Sequence, residues 1–177
     1  MKNLLILGLI VAGLLTSCQQ EKRYSPDGVI SLSLIEPQDS FPDLLKLMQE
    51  TNPNMISLFM LGDSTKKEQF PFSVSKMQGG ETMSIKQAFD DYVKDVSPPL
   101  TTILSSEFYE KNGKTFFRKI SQTDFGERQT RNMMFYFMEN DRSNVLYELK
   151  ATASPDRGDF VLHQLEKIAG TVQFNKK

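Results

Sequence analysis

The 177-residue chain has one cysteine, one histidine and no tryptophan. A single thiol excludes an intrachain disulfide and any zinc site built from thiolates. With one histidine, a histidine-based mechanism has only His163 to use, and a zinc site is left with carboxylates for company. Charge of one sign is also missing: 21 basic residues stand against 22 acidic ones. That balance lacks the basic footprint that nucleic-acid binding requires. No internal repeat or low-complexity tract occurs. Nor is there a long apolar run. The longest uncharged apolar stretch, residues 4–15, falls short of the ~18–20 residues that a membrane-spanning helix needs.

That short run is informative in its own right. Lys2 precedes it, small and polar residues follow it, and Gln19-Gln20-Glu21-Lys22-Arg23 could not continue a span. This is the pattern of a signal peptide. Leu15-Thr16-Ser17-Cys18 resembles the lipobox of bacterial lipoproteins. The resemblance implies that the Cys18 thiol takes a diacylglyceryl group, that cleavage falls before Cys18, and that the new amine is acylated. Each buried methylene adds roughly 0.8 kcal/mol, so two or three acyl chains hold a soluble domain firmly at a membrane. The expected organisation is a signal peptide over 1–17, a lipidated tether over 18–23 and one domain over 24–175. Roughly 160 residues remain after cleavage, enough for a single well-buried core. The implied location is the bacterial cell envelope. Gln19 is not the Asp that retains lipoproteins at the inner membrane in enteric bacteria, which points to the outer membrane.

Along the domain, Ile30, Leu32 and Leu34 alternate with Ser31 and Ser33, predicting a strand over 29–35 that Pro37 ends. A helix is expected over 43–50, stopped by Asn52-Pro53. Residues 55–61 are apolar on both alternating sets, as in a strand covered on two faces. Another strand is expected over 70–77, with Phe72 and Val74 at its centre and Gly79-Gly80 as its end. Ile85, Ala88, Phe89, Tyr92, Val93 and Val96 follow helical spacing over 84–96. Ser84 with Gln87 has a capping-box pattern, and Ser97-Pro98-Pro99 stops the helix. A four-strand antiparallel meander follows over 101–110, 114–122, 129–139 and 144–152. Its first turn, Asn112-Gly113, is a strong hairpin signal because both residues tolerate positive φ. The last helix is expected over 156–169, after Pro155 and with Gly170 at C′. Residues 171–174 form a closing strand.

Met133, Phe135 and Phe137 on one set, against Met134, Tyr136 and Met138 on the other, leave no polar face on the meander. The expected fold class is therefore α+β, a mainly antiparallel sheet flanked by helices on both faces. This order resembles the PsbP/Mog fold family, which includes envelope lipoproteins of the DcrB type. Tyr24 followed by Gly28-Val29-Ile30-Ser31-Leu32 and Pro37 is similar to its opening strand and proline exit. Asn112-Gly113-Lys114 with Phe116-Phe117-Arg118 is similar to its central hairpin and aromatic strand. The α/β/α sandwich is what the resemblance implies. An aromatic, often Trp, commonly follows the family's proline, and here only Phe41 stands near. No metal-binding, photosystem or GTPase-binding residue can be matched, because family members share a fold and not a chemistry.

Candidate chemistry is sparse. His163 falls on the helix side opposite Leu165, beside Asp159, Glu166 and Lys167, and should face water. Asp90 and Asp91 point 100° apart on a helix and read as a solvated face. Gly79-Gly80 lacks the Lys-Ser/Thr of a phosphate loop, and 78–83 reads as a turn. The aromatic and methionine density over 108–138 reads as core, with a ligand-binding surface as the alternative. Arg118, Lys119, Arg128 and Arg131 make a candidate basic strip on a sheet edge. The expectation is a non-catalytic, membrane-tethered module without cofactor or metal, binding an envelope protein or a small ligand. The alternatives are a small carboxylate- or metal-dependent hydrolase and a structural spacer. Buried hydrogen-bonded acids in the deepest pocket would favour the hydrolase. A pull-down without partners would favour the spacer.

Overall fold

A computed structural model describes residues 22–34, 37–62, 69–93 and 99–175. The expected strand over 29–35 forms as β2 (Ile30–Leu34), and it is the middle of a small sheet. On one side it pairs with β1 (Lys22–Tyr24), and on the other with β10 (Gln173–Phe174). Lys22 and Arg23, expected within a tether over 18–23, are strand residues, and 18–21 lie outside the described residues. Arg23 donates to Ser31 Oγ and to Gln173 Oε1, tying all three strands together.

The large sheet has seven strands. Pro37 does not end the extended chain but opens β3 (Pro37–Ser40), which pairs with β4 (Met55–Leu61). Between them α1 (Pro42–Thr51) starts with Pro42, whose missing N–H is no loss in a first turn. Strand β5 (Phe70–Ser84) runs past Gly79-Gly80, where the sequence suggested an end. Its pairing steps from Gln78↔Val145 to Met83↔Ser143, so residues 79–82 bulge opposite Asn144 alone. Glycine inside a strand often marks such a bulge. Then come β6 (Thr101–Lys111), β7 (Lys114–Asp124), β8 (Gln129–Phe137) and β9 (Arg142–Ala153), the expected meander. The order across the sheet is β3-β4-β5-β9-β8-β7-β6, and every described pairing is antiparallel. Asn112 and Gly113 both have positive φ, 54° and 71°, as the β6–β7 hairpin requires.

Alternate residues of the same strands feed two separate clusters. The larger takes Phe116, Phe135, Phe137, Tyr147 and Leu149, packed with Ile30, Leu32 and Leu34 of the small sheet. Its helix is α3 (Gly158–Thr171), which contributes Val161, Leu165, Ile168 and Ala169. The smaller takes Phe117, Met134, Tyr136 and Leu146, packed with Met83, Ala88 and Met138. Here the helix expected over 84–96 appears as α2 (Ile85–Ala88), continued by a π turn over Phe89–Val93. Ser84 Oγ accepts from Gln87 N–H at 3.2 Å, the cap the sequence signalled. The wider turn starts at Phe89, whose ring lies 3.6 Å from that of Phe117, centroid to centroid. The end expected at 96 lies outside the described residues.

Helix α3 closes without a C′ glycine. Gly170 lies within its last turn, and Val172 is the capping residue. The β6–β7 hairpin supplies the missing donors instead. Lys111 Nζ donates to the Glu166 carbonyl at 3.1 Å, Asn112 Nδ2 to that of Gly170 at 2.6 Å, and Lys114 Nζ to that of Val172. Among the described residues no helix is long and apolar enough to cross a membrane.

Candidate functional site

The bulge in β5 opens a cleft of about 350 Å³ between β5, the start of β9 and α2. Met77, Met83, Met138, Leu146 and Ala88 supply its apolar lining. Around them stand the amides of Asn54, Gln78 and Asn144, the Ser143 hydroxyl and the bare backbone of Gly79-Gly80. The construction follows from the strand pattern. Met77 and Leu146 are register partners, so they share a face, and the bulge then brings Met83 back opposite Ser143. A Cβ at Gly80 would meet nothing within 4 Å, so that side of the cleft is open. Three thioethers on unbranched stems give it a soft, adaptable floor.

Among the described residues no ionisable side chain lines this cleft. It offers apolar contact and neutral hydrogen bonding. A second hollow of about 290 Å³ does hold Glu139, Asp141 and Lys114 beside Phe174. Both carboxylates there are exposed rather than buried and hydrogen-bonded. Among the described residues no three of His, Cys, Asp or Glu converge as metal ligands would.

A half-buried polar cluster lies elsewhere, around Asp27. Its carboxylate accepts from Lys76 Nζ at 2.9 Å, Tyr147 Oη at 2.8 Å, Val29 N–H at 2.9 Å and Ile30 N–H at 3.1 Å. Burial pushes the Asp27 pKa up, but the bonds from Lys76, Ile30, Tyr147 and Val29 outweigh it and hold it below the usual carboxylate value. Burial, then the bond to Asp27, pushes the Tyr147 phenol well up. Every oxygen of Asp27 is engaged, so the cluster fastens the first turn of the domain to β5 and β9.

The residues singled out in the sequence scatter. Leu15, Thr16, Ser17 and Cys18 lie outside the described residues. His163 is exposed on α3, and Asp90 and Asp91 are exposed in the π turn. The expected basic strip does not form. Arg118 and Lys119 alternate across β7, which is not an edge strand. Arg118 pairs with Glu166 at 2.6 Å and with Glu107, while Lys119 is buried. Arg131 lies across Gly158 and reaches Asp159 at 3.4 Å, and Arg128 sits in the β7–β8 turn. Most of the 108–138 aromatics fill the two clusters, as expected of core. Met138 is an exception with a second role, since it also lines the cleft. The cleft itself was missed. Its one signal was Gly79-Gly80 within a strand pattern, which marks a bulge as readily as an end.

No protein-family model matches this chain, and no curated protein matches it. Solved structures do. CyanoP, the cyanobacterial PsbP of Synechocystis, superposes with a TM-score of 0.59 over 90% of this chain and 95% of its own, at 11% identity. The Ran-binding protein Mog1p of Saccharomyces cerevisiae gives 0.57 over 88% and 95%, at 10% identity. LpqN of Mycobacterium tuberculosis, involved in cell envelope biogenesis, gives 0.57 over 89% and 91%, at 10% identity. At such identities the likeness speaks for the fold alone. The chain has a PsbP/Mog-like α+β fold.

Proposed function

We propose that the protein is a membrane-tethered envelope lipoprotein that acts as a non-catalytic binding module, with the methionine-lined cleft as its binding site. The observation that carries the binding reading is a sizeable cleft whose described residues give it an apolar and amide lining. Fold neighbours described as Ran-binding and as involved in cell envelope biogenesis agree with it. The tether is supported by Leu15-Thr16-Ser17-Cys18 behind its apolar run. The layers read as an α/β/α sandwich, with α3 and the small sheet on one face of the large sheet and α2 on the other.

Two experiments test the two halves. Cys18→Ser is expected to move the protein from the membrane fraction to the soluble envelope fraction. Retention on the membrane, with no acyl chain on the wild-type protein, would refute the anchor. For the cleft, Gly80→Leu adds a side chain into open space, so folding should be unchanged. Crosslinked neighbours, or an apolar fluorescent probe that binds the wild type, should be lost by roughly tenfold in affinity. Undiminished binding in a folded Gly80→Leu protein would place the binding site elsewhere.

A further inference from the structure

Helix α1 carries an apolar ridge that no described residue of the domain covers. None of its residues is buried, and Leu44, Leu47 and Met48 are 44%, 59% and 37% exposed. Their i, i+3, i+4 spacing puts them on one face. Scattered exposed leucines need no explanation, but three apolar side chains exposed together on one helix face do.

Its place in the fold indicates what covers it. Strand β3 is the edge of the large sheet, β1 is an edge of the small one, and α1 continues directly from β3. Tyr24 of β1 meets Phe59 edge-on at 4.7 Å, and Phe59 pairs with Ser40, the last residue of β3. The chain therefore enters the domain along the same edge that carries α1. Cys18 precedes Lys22 by four peptide steps, a reach of at most about 14 Å. A lipid at Cys18 cannot lift a domain of this size clear of the bilayer, so this edge is held at the headgroup layer.

We infer that the Leu44-Leu47-Met48 ridge docks into the interfacial layer of the membrane that holds Cys18. The docked domain stands edge-on, with β6 and the open strip of Leu100, Ile103 and Leu104 directed away from the lipid. Lys22 and Lys46 are exposed on the same edge and can reach headgroup phosphates. The inference rests on the lipid-anchor reading and adds an orientation to it.

The test uses the full chain purified from membranes, with acylation of Cys18 read first by mass spectrometry. An unmodified Cys18 overturns the anchor and the docking together. With Cys18 acylated, Leu47→Cys and Leu104→Cys are each labelled with an environment-sensitive fluorophore. They are then reconstituted in phosphatidylcholine–phosphatidylglycerol vesicles carrying a nitroxide lipid. Quenching at 47 should be roughly threefold stronger than at 104, on the opposite edge. Adding Leu44→Ser and Met48→Ser should bring position 47 down toward position 104. Equal quenching at the two positions overturns the docking while leaving the anchor standing. So does a label at 47 that is shielded from water but not quenched, because a second copy or the chain itself would then cover the ridge.

Discussion

Phe137→Ala is expected to destabilise the domain by about 3–5 kcal/mol, the range for truncating a buried phenylalanine. The ring is 1% exposed and stands at the junction of the two sheets. It stacks on Tyr147 at 5.4 Å with a 19° tilt, and lies 5.6 Å from Phe116 and 6.0 Å from Phe174. Removing it leaves a hole that three neighbouring rings cannot close without leaving their rotamers. Chemical denaturation should show the midpoint falling at unchanged slope, and Tm should drop by roughly 10 °C. Phe125→Ala is the matched control, because its ring is 65% exposed and its loss should barely register. A drop below about 1 kcal/mol for Phe137→Ala would contradict the packing at this junction.

The second large effect is expected from Asp27→Ala, at about 2–3 kcal/mol. Truncation leaves the Lys76 ammonium and the Tyr147 phenol without their acceptor, together with two backbone N–H groups. Partial exposure of Lys76 keeps the loss below that of a fully buried pair. The same cluster gives the pH dependence a definite sign. Asp27 has a folded pKa below its unfolded value, so its stabilisation is complete above the ordinary carboxylate range and is lost as pH falls through the folded value. Tyr147 is shifted the other way, so its contribution is complete below the ordinary phenol range and is lost as pH climbs through the folded value. Stability measured from pH 2 to 5 should therefore rise in the wild type, with a shallower rise in Asp27→Asn. Identical slopes would contradict the assignment.

Local patterns carried most of the fold from the sequence. Asn112-Gly113 placed the central hairpin, alternating apolar residues placed β2, and Ser84 with Gln87 placed the start of α2. What local patterns could not carry were decisions made by partners far away in the chain. Pro37 reads as an exit from a strand, yet pairing with Leu61 makes it the start of another. Gly79-Gly80 reads as a stop, yet β9 holds β5 extended on both sides of it. Gly170 reads as a helix terminator, but Lys111, Asn112 and Lys114 arrive from the hairpin to take that role. Asp27 looks like an ordinary turn acid until Lys76 and Tyr147 reach it. The cleft was hidden for the same reason. Its methionines come from β5 and from the end of β8, and only the bulge brings them together.

The small sheet also bears on how the protein is made. Strand β2 takes its second partner from Gln173 and Phe174, and Asn175 N–H donates to the Val29 carbonyl at 2.8 Å. Strand β2 thus waits for residues 173–175, which lie far beyond it in the sequence. During synthesis the meander can form early from neighbouring segments, while the layer over it stays open until residues 173–175 emerge.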